Sequence, residues 1–112
     1  MAVSDRPRAV PVNEAALQAW ITELAGWRRW RTYHTHDSRH SPAGFPDLVL
    51  VRGARLVFAE LKTAKANPTP DQWAWLDALE GVGDAVRSRG TGSVETYLWR
   101  PGDMGDIERI LT

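Results

Sequence analysis

The chain has 112 residues, with 14 Lys+Arg balanced by 14 Asp+Glu for a formal net charge of zero, 43% hydrophobic residues and no cysteine. This is the composition of one globular domain with a single modest core, and the lack of cysteine excludes disulfides, Cys-ligated zinc and a thiol nucleophile. No apolar run approaches the ~20 residues of a membrane helix and residues 1–12 hold nothing like a signal peptide, so a cytoplasmic protein without a membrane partner is expected.

Residues 1–12 contain Arg6, Pro7, Arg8 and Pro11 without hydrophobic period, which predicts a flexible arm ahead of one domain over residues 13–112. Leu17, Ile21, Leu24 and Ala25 recur at helical spacing after Asn13, a good N-cap, predicting a helix over Glu14–Trp27. Residues 30–35 are β-prone, and residues 36–44 form a polar loop that leads into Phe45-Pro46. Residues 48–51 and 56–61 are dense in Val, Leu and Phe around Gly53-Ala54, a hairpin signal. Thr69-Pro70-Asp71 opens a helix over residues 72–80 that should stop near Gly81 and Gly83. A Gly/Ser-rich loop over residues 88–93, a strand over residues 94–99 and a short helix over residues 103–111 complete an α/β fold, a mixed sheet flanked by helices.

Centring the hairpin on Gly53 and Ala54 sets Arg52 opposite Arg55 and, counting back, Asp47 opposite Glu60. Strand alternation puts Glu60 and Lys62 on one face, and cross-strand pairing adds Asp47. Opposed Cβ atoms lie ~4.5–5.5 Å apart, where two carboxylates repel unless a cation separates them. Such hard oxygen ligands suit Mg²⁺, with Mn²⁺ as a substitute, since both keep water and phosphate oxygens in their remaining positions. The bland alternative makes Asp47 a turn residue after Pro46, with Lys62 neutralising two solvated acids. Against it, Val57, Ala59 and Leu61 cover one strand face while Leu56 and Phe58 lead along the other, so the charges sit at the end of a strand buried on both sides.

Pro46-Asp47, a spacer of twelve residues and Glu60-Leu61-Lys62 form the pattern of the PD-(D/E)XK nuclease superfamily. With Glu14 early in the first helix, Gly44-Phe45-Pro46-Asp47, Thr63 after Lys62, and Thr69-Pro70-Asp71-Gln72 at the next helix start, the chain resembles the VRR-NUC branch from Glu14 to about Trp99. The resemblance implies a restriction-endonuclease-like core and a Mg²⁺-dependent DNA endonuclease, of the small phage type that serves replication, recombination and repair. On that reading Asp47 and Glu60 are metal ligands, the main-chain carbonyl of Leu61 is a third, and Lys62 orients or deprotonates the attacking water. Only Lys62 and Lys65 among the 14 basic residues are lysines, a modest point in favour of a chosen ammonium at position 62. Glu14 shares a helical face with Leu17, Ile21 and Leu24 and is either a ligand of the metal or its water, or a first-turn acid that favours the helix dipole. Gln72, on the face of Trp75, Leu76 and Leu79, is either a positioning contact to water or phosphate or a locally bonded helix-start residue.

Net neutrality argues against a polyanionic partner until the charges are placed. Residues 28–40 hold four arginines and all three histidines against Asp37 alone. Arg28, Arg29, Arg31, His34, Ser38 and Arg39, with Lys65, are therefore the candidate DNA contacts. Nothing fixes the geometry of His34, His36 and His40, which counts against a histidine metal site. Trp20, Trp73, Trp75 and Trp99 belong to periodic segments and are expected in or half in the core, whereas Trp27 and Trp30 flank arginines and suit nucleic-acid stacking or a dimer contact. Neutrality predicts modest non-specific affinity, which favours a particular DNA shape such as a branch. One site per chain makes a two-fold homodimer the expected form for cutting both strands. The readings from other classes are a non-catalytic DNA-binding or assembly module that retains the nuclease fold, and a plain structural domain.

Overall fold

The computed structural model describes residues 10–36 and 40–112, so most of the expected arm, and Ser38 and Arg39, lie outside the described residues. The Asn13 side chain accepts from the Ala16 amide and starts α1, Glu14–Trp27, whose Leu17, Ile21 and Ala25 are fully buried. A four-stranded sheet follows in the order β1 (Arg31–His34), β2 (Leu48–Arg52), β3 (Arg55–Leu61) and β4 (Ser93–Trp99). The first three strands are antiparallel and β4 runs parallel to β3, reached through α2, Pro70–Arg89. A 3-10 turn at Pro101–Asp103 and α3, Met104–Ile110, close the chain.

Arg52 pairs with Arg55 and Leu48 with Ala59, which is the register expected from centring the hairpin on Gly53-Ala54. Alternation then gives each sheet face its own partner. Leu48, Leu50, Val57, Ala59, Leu61 and Trp99 pack with α1 and with Ile107 and Leu111 in one continuous core. Burial of each large side chain there is worth about 1.5–3 kcal/mol, which fixes the central strands that carry the polar cluster. The opposite face is covered by α2 over β3 and β4. Toward β1 the same face stays open, with Tyr33 62% and Val51 40% exposed.

Three expectations need correction. Trp73, expected in or half in the core, is 44% exposed on α2. Gly81 and Gly83 do not end α2, which continues to Arg89 before its Gly90 cap. Gly83 is a packing residue: a Cβ there would lie 2.3 Å from the Val94 carbonyl oxygen, so its absence lets the helix press onto β4. The expected loop over residues 88–93 accordingly shrinks to residues 90–92. Trp30, assigned to nucleic acid or a dimer, is 5% exposed and belongs to the core. Its indole N–H donates to the Leu111 carbonyl, and the Arg52 and Arg55 guanidinium groups lie 4.6 and 4.9 Å from its ring centroid. Those arginines also reach the Thr112 and Ile110 carbonyls, tying the C-terminus to the hairpin.

Candidate active site

Asp47 enters β2 from a strap built by Gly44-Phe45-Pro46. Gly44 has φ 95, and a Cβ there would meet the Asp71 backbone at 2.5 Å, so the strap lies directly against the start of α2. Phe45 packs edge-on against Phe58 of β3 and Trp75 of α2, with ring centroids 6.0 and 5.1 Å away. Pro46 is buried, its carbonyl accepting the Thr35 hydroxyl at 2.7 Å, while the Asp47 carbonyl accepts the Thr35 amide at 2.8 Å. Asp47 Oδ2 in turn accepts the Leu61 amide at 2.8 Å, which joins the strap to the far end of β3.

Glu60, beside that bond, is 1% exposed and is the single buried charged residue among the described residues. Neither of its carboxylate oxygens receives a hydrogen bond. Burial first, and then the neighbouring Asp47 carboxylate, pushes the Glu60 acid up to about 9. Lys62 opposes this and Glu14 adds to it, so both side chains act electrically on Glu60. Lys62 is half-buried just past β3, held there by its amide bond to the Trp99 carbonyl at 3.1 Å.

The predicted residues thus divide. Asp47, Glu60, Leu61 and Lys62 converge at the adjacent ends of β2 and β3, and Glu14 stands exposed at the start of α1 within electrostatic reach. Gln72 makes the local bonds of a helix start: its amide oxygen accepts the Thr69 amide while its own amide donates to the Thr69 hydroxyl. Among the proposed DNA contacts, the Arg28 guanidinium is engaged by the Glu108 carbonyl and the Thr112 hydroxyl. Arg29, Arg31, His34 and Lys65 are exposed, with the His34 ring 4.1 Å from that of His36.

Two supporting residues escape a reading of the sequence. Thr35 braces the strap as described. Arg100 donates to the carbonyls of Thr63 and Ala66 and to the Asn67 side chain, the first at 2.7 Å, clamping the loop that follows Lys62. Its only signal in the sequence is a basic residue next to a strand end, which is too common to single out.

Among the described residues no group of three or more His, Cys, Asp or Glu side chains is gathered to hold a metal. A carboxylate pair that leaves the other positions to water, backbone and phosphate is what Mg²⁺ accepts. The donor set fits such an ion: two buried acidic oxygens lack any partner, next to a second carboxylate already oriented by a backbone amide. No described helix is long and apolar enough to cross a membrane.

The family model of the VRR-NUC domain matches residues 9–88 of the chain. No curated protein and no solved structure matches it. The match ends before β4 and Arg100, which brace the Lys62 loop from outside it. The four-stranded mixed sheet with three flanking helices agrees with that match, and the chain belongs to the VRR-NUC family, PD-(D/E)XK nucleases that act on DNA.

Proposed function

We propose that this protein is a divalent-metal-dependent endonuclease that hydrolyses DNA phosphodiester bonds, acting on structured or branched DNA in phage-type replication, recombination or repair. The observation that carries the reading is the Glu60 carboxylate, buried with both oxygens unpaired beside Asp47. An acid so placed destabilises the fold unless a cation joins it, and residues of that kind mark functional sites.

Asp47, Glu60 and the Leu61 carbonyl are the groups that would hold Mg²⁺, with Mn²⁺ substituting; Glu14 would serve the ion or its water. When bound, the ion supplies charge neutralisation at the scissile phosphate and acidifies a water. The chain supplies position. The Leu61 amide fixes the Asp47 rotamer, the apolar walls of Phe45, Phe58 and Trp75 exclude bulk water, and Lys62 offers an ammonium that orients the attacking water and stabilises charge on the phosphoryl oxygens. Arg29, Arg31 and Lys65 are exposed groups proposed to hold the DNA backbone, and a two-fold homodimer would present one site to each strand.

The full chain is expected to cleave a panel of flapped, nicked, four-way and plain duplex DNA only with Mg²⁺ or Mn²⁺ present. Chelation should abolish cleavage, and Lys62→Ala should lower kcat by about 10²-fold with DNA affinity retained. Absence of cleavage on every substrate, or full activity of Lys62→Ala, overturns the proposal; salt-dependent binding without turnover would identify a DNA-binding module instead.

Arg100→Ala should lower kcat about 10–100-fold with little change in KM, because the clamp sets where Lys62 stands rather than touching DNA. Arg100→Lys, which keeps the charge but not the fork of donors, should recover only part. A lower Tm with activity unchanged per folded molecule would reduce Arg100 to a purely structural role.

A further inference from the structure

The sheet face that carries Asp47 and Glu60 extends, uncovered by α2, to the edge strand β1. The register sets Tyr33 against Val49 and Arg31 against Val51, and the Thr35 amide bond to Asp47 continues it by one more row. Val49 and Val51 alternate with Leu48 and Leu50, which are buried in the α1 core, so Tyr33 and Arg31 share the Asp47 face while Thr32 and His34 point away. Tyr33 is 62% exposed. Among the described residues neither its ring nor the Arg31 guanidinium has any hydrogen bond, ion pair or ring contact, so nothing in the fold accounts for them.

Along β1 the rows Thr35, Tyr33, Arg31 are spaced two residues, about 6.6–6.8 Å, and Tyr33 is diagonal to Asp47 at about 7–8 Å. A DNA strand in duplex advances only about 3.4 Å per nucleotide, so consecutive rows match a strand whose bases have been pulled apart rather than a continuous stack. An aromatic face followed by a guanidinium is the combination that stacks a base and holds the next phosphate. Trp30, the other aromatic of this basic stretch to lie beside the strand, is sealed in the core and cannot do this.

Resting on the nuclease reading of the Asp47–Glu60 site, we infer that Tyr33 is a stacking platform for an unpaired base one nucleotide from the scissile phosphate, with Arg31 on the phosphate beyond. The site then selects DNA that already offers an unpaired nucleotide at the cut, such as a flap or a branch point, over continuous duplex. A second copy of this chain seated on the same open face is the competing occupant. Exposed β-strand positions facing solvent tolerate substitution, so Tyr33→Leu should keep the fold and its Tm.

The test has a binding arm and a cleavage arm. In the full chain carrying Lys62→Ala with Mg²⁺ present, 2-aminopurine is placed at successive positions of a hairpin DNA bearing a single-stranded flap. Its fluorescence should be quenched at one unpaired position, quenched again with Tyr33→Phe, and not with Tyr33→Leu. In the chain with Lys62 intact, Tyr33→Leu should lower kcat/KM on the flap about 5- to 100-fold, and less than twofold on nicked, fully paired duplex. The inference is overturned by the absence of position-specific quenching, by equal losses on both substrates, or by a drop in solution molar mass from dimer to monomer on Tyr33→Leu. Quenching without cleavage by the Lys62 chain would keep the stacking site and overturn the nuclease reading alone.

Discussion

Glu60→Gln is expected to abolish cleavage and, in the same protein, to raise the stability of the metal-free fold. The two effects share one cause. The Glu60 carboxyl is 1% exposed, lacks hydrogen-bond partners, and is held at about 9 against an ordinary 4.5 by burial first and then by Asp47. A folded-state value raised above the unfolded one means the native protein binds the proton more tightly. Stability is therefore fully present below about pH 4.5, falls by up to tenfold in the folding constant per pH unit as the unfolded chain alone ionises, and stops falling above about pH 9. At pH 7.5 the ceiling is a loss of about 4 kcal/mol. Water entry and side-chain relaxation reduce such penalties in real proteins, so a gain of about 1–3 kcal/mol is expected for the variant. That corresponds to a rise in Tm of about 5–15 °C for a domain of this size. Thermal melts of both proteins with chelator, from pH 5 to pH 9, check the sign: the wild-type Tm should fall across the window while that of Glu60→Gln stays nearly level in comparison. Mg²⁺ should restore the wild type and leave the variant unmoved, since only the ionised acid binds the ion appreciably. Cleavage by Glu60→Gln should drop about 10³-fold or more, the several kcal/mol of charge stabilisation that the site then loses. A variant less stable than the wild type at pH 7.5 would mean that Glu60 has a partner in the native fold and is not a vacant ligand.

The hairpin and the placement of Asp47 against Glu60 were legible in the sequence because a two-residue turn leaves one register, and side-chain alternation does the rest. The start of α2 was equally legible, since Thr69-Pro70-Asp71-Gln72 carries its cap, its proline and its reciprocal bonds locally. What local chemistry does not determine was missed. Gly83 has the composition of a terminator but is kept small by the Val94 carbonyl on the following strand, β4. Trp30 sits among arginines that look available to DNA, yet two arginines of the hairpin, Arg52 and Arg55, cover its ring instead. Arg28 lies in a basic run but binds the C-terminal segment. In each case the deciding partner sits on a different element, and a pattern read along one element contains no trace of it.

The same distinction makes Gly44 the most informative small residue in the chain. Gly44→Ala is expected to cost about 3 kcal/mol and to misplace Asp47. At φ 95 an L-residue costs about 1–2 kcal/mol before any contact is considered. The added Cβ would then lie 2.5 Å from the Asp71 carbonyl carbon and 2.6 Å from its oxygen. Those atoms belong to the first turn of α2, which cannot swing aside as a side chain would, so overpacking adds about 1–3 kcal/mol. Relief by moving the strap would shift Pro46 away from the Thr35 hydroxyl and Asp47 away from the Leu61 amide. A displacement of about 1 Å at a catalytic group costs about 10²-fold in rate. The expected result is a Tm lower by about 10–20 °C and, below that Tm where the variant is fully folded, kcat reduced about 10²-fold. Gly26→Ala supplies the contrast: within α1, with nothing inside 4 Å of its added Cβ, it should stabilise by up to about 1 kcal/mol and leave cleavage unchanged. If the two substitutions behave alike in melting and in rate, the strap is not what positions Asp47, and the link between the Gly44-Phe45-Pro46-Asp47 motif and the site fails.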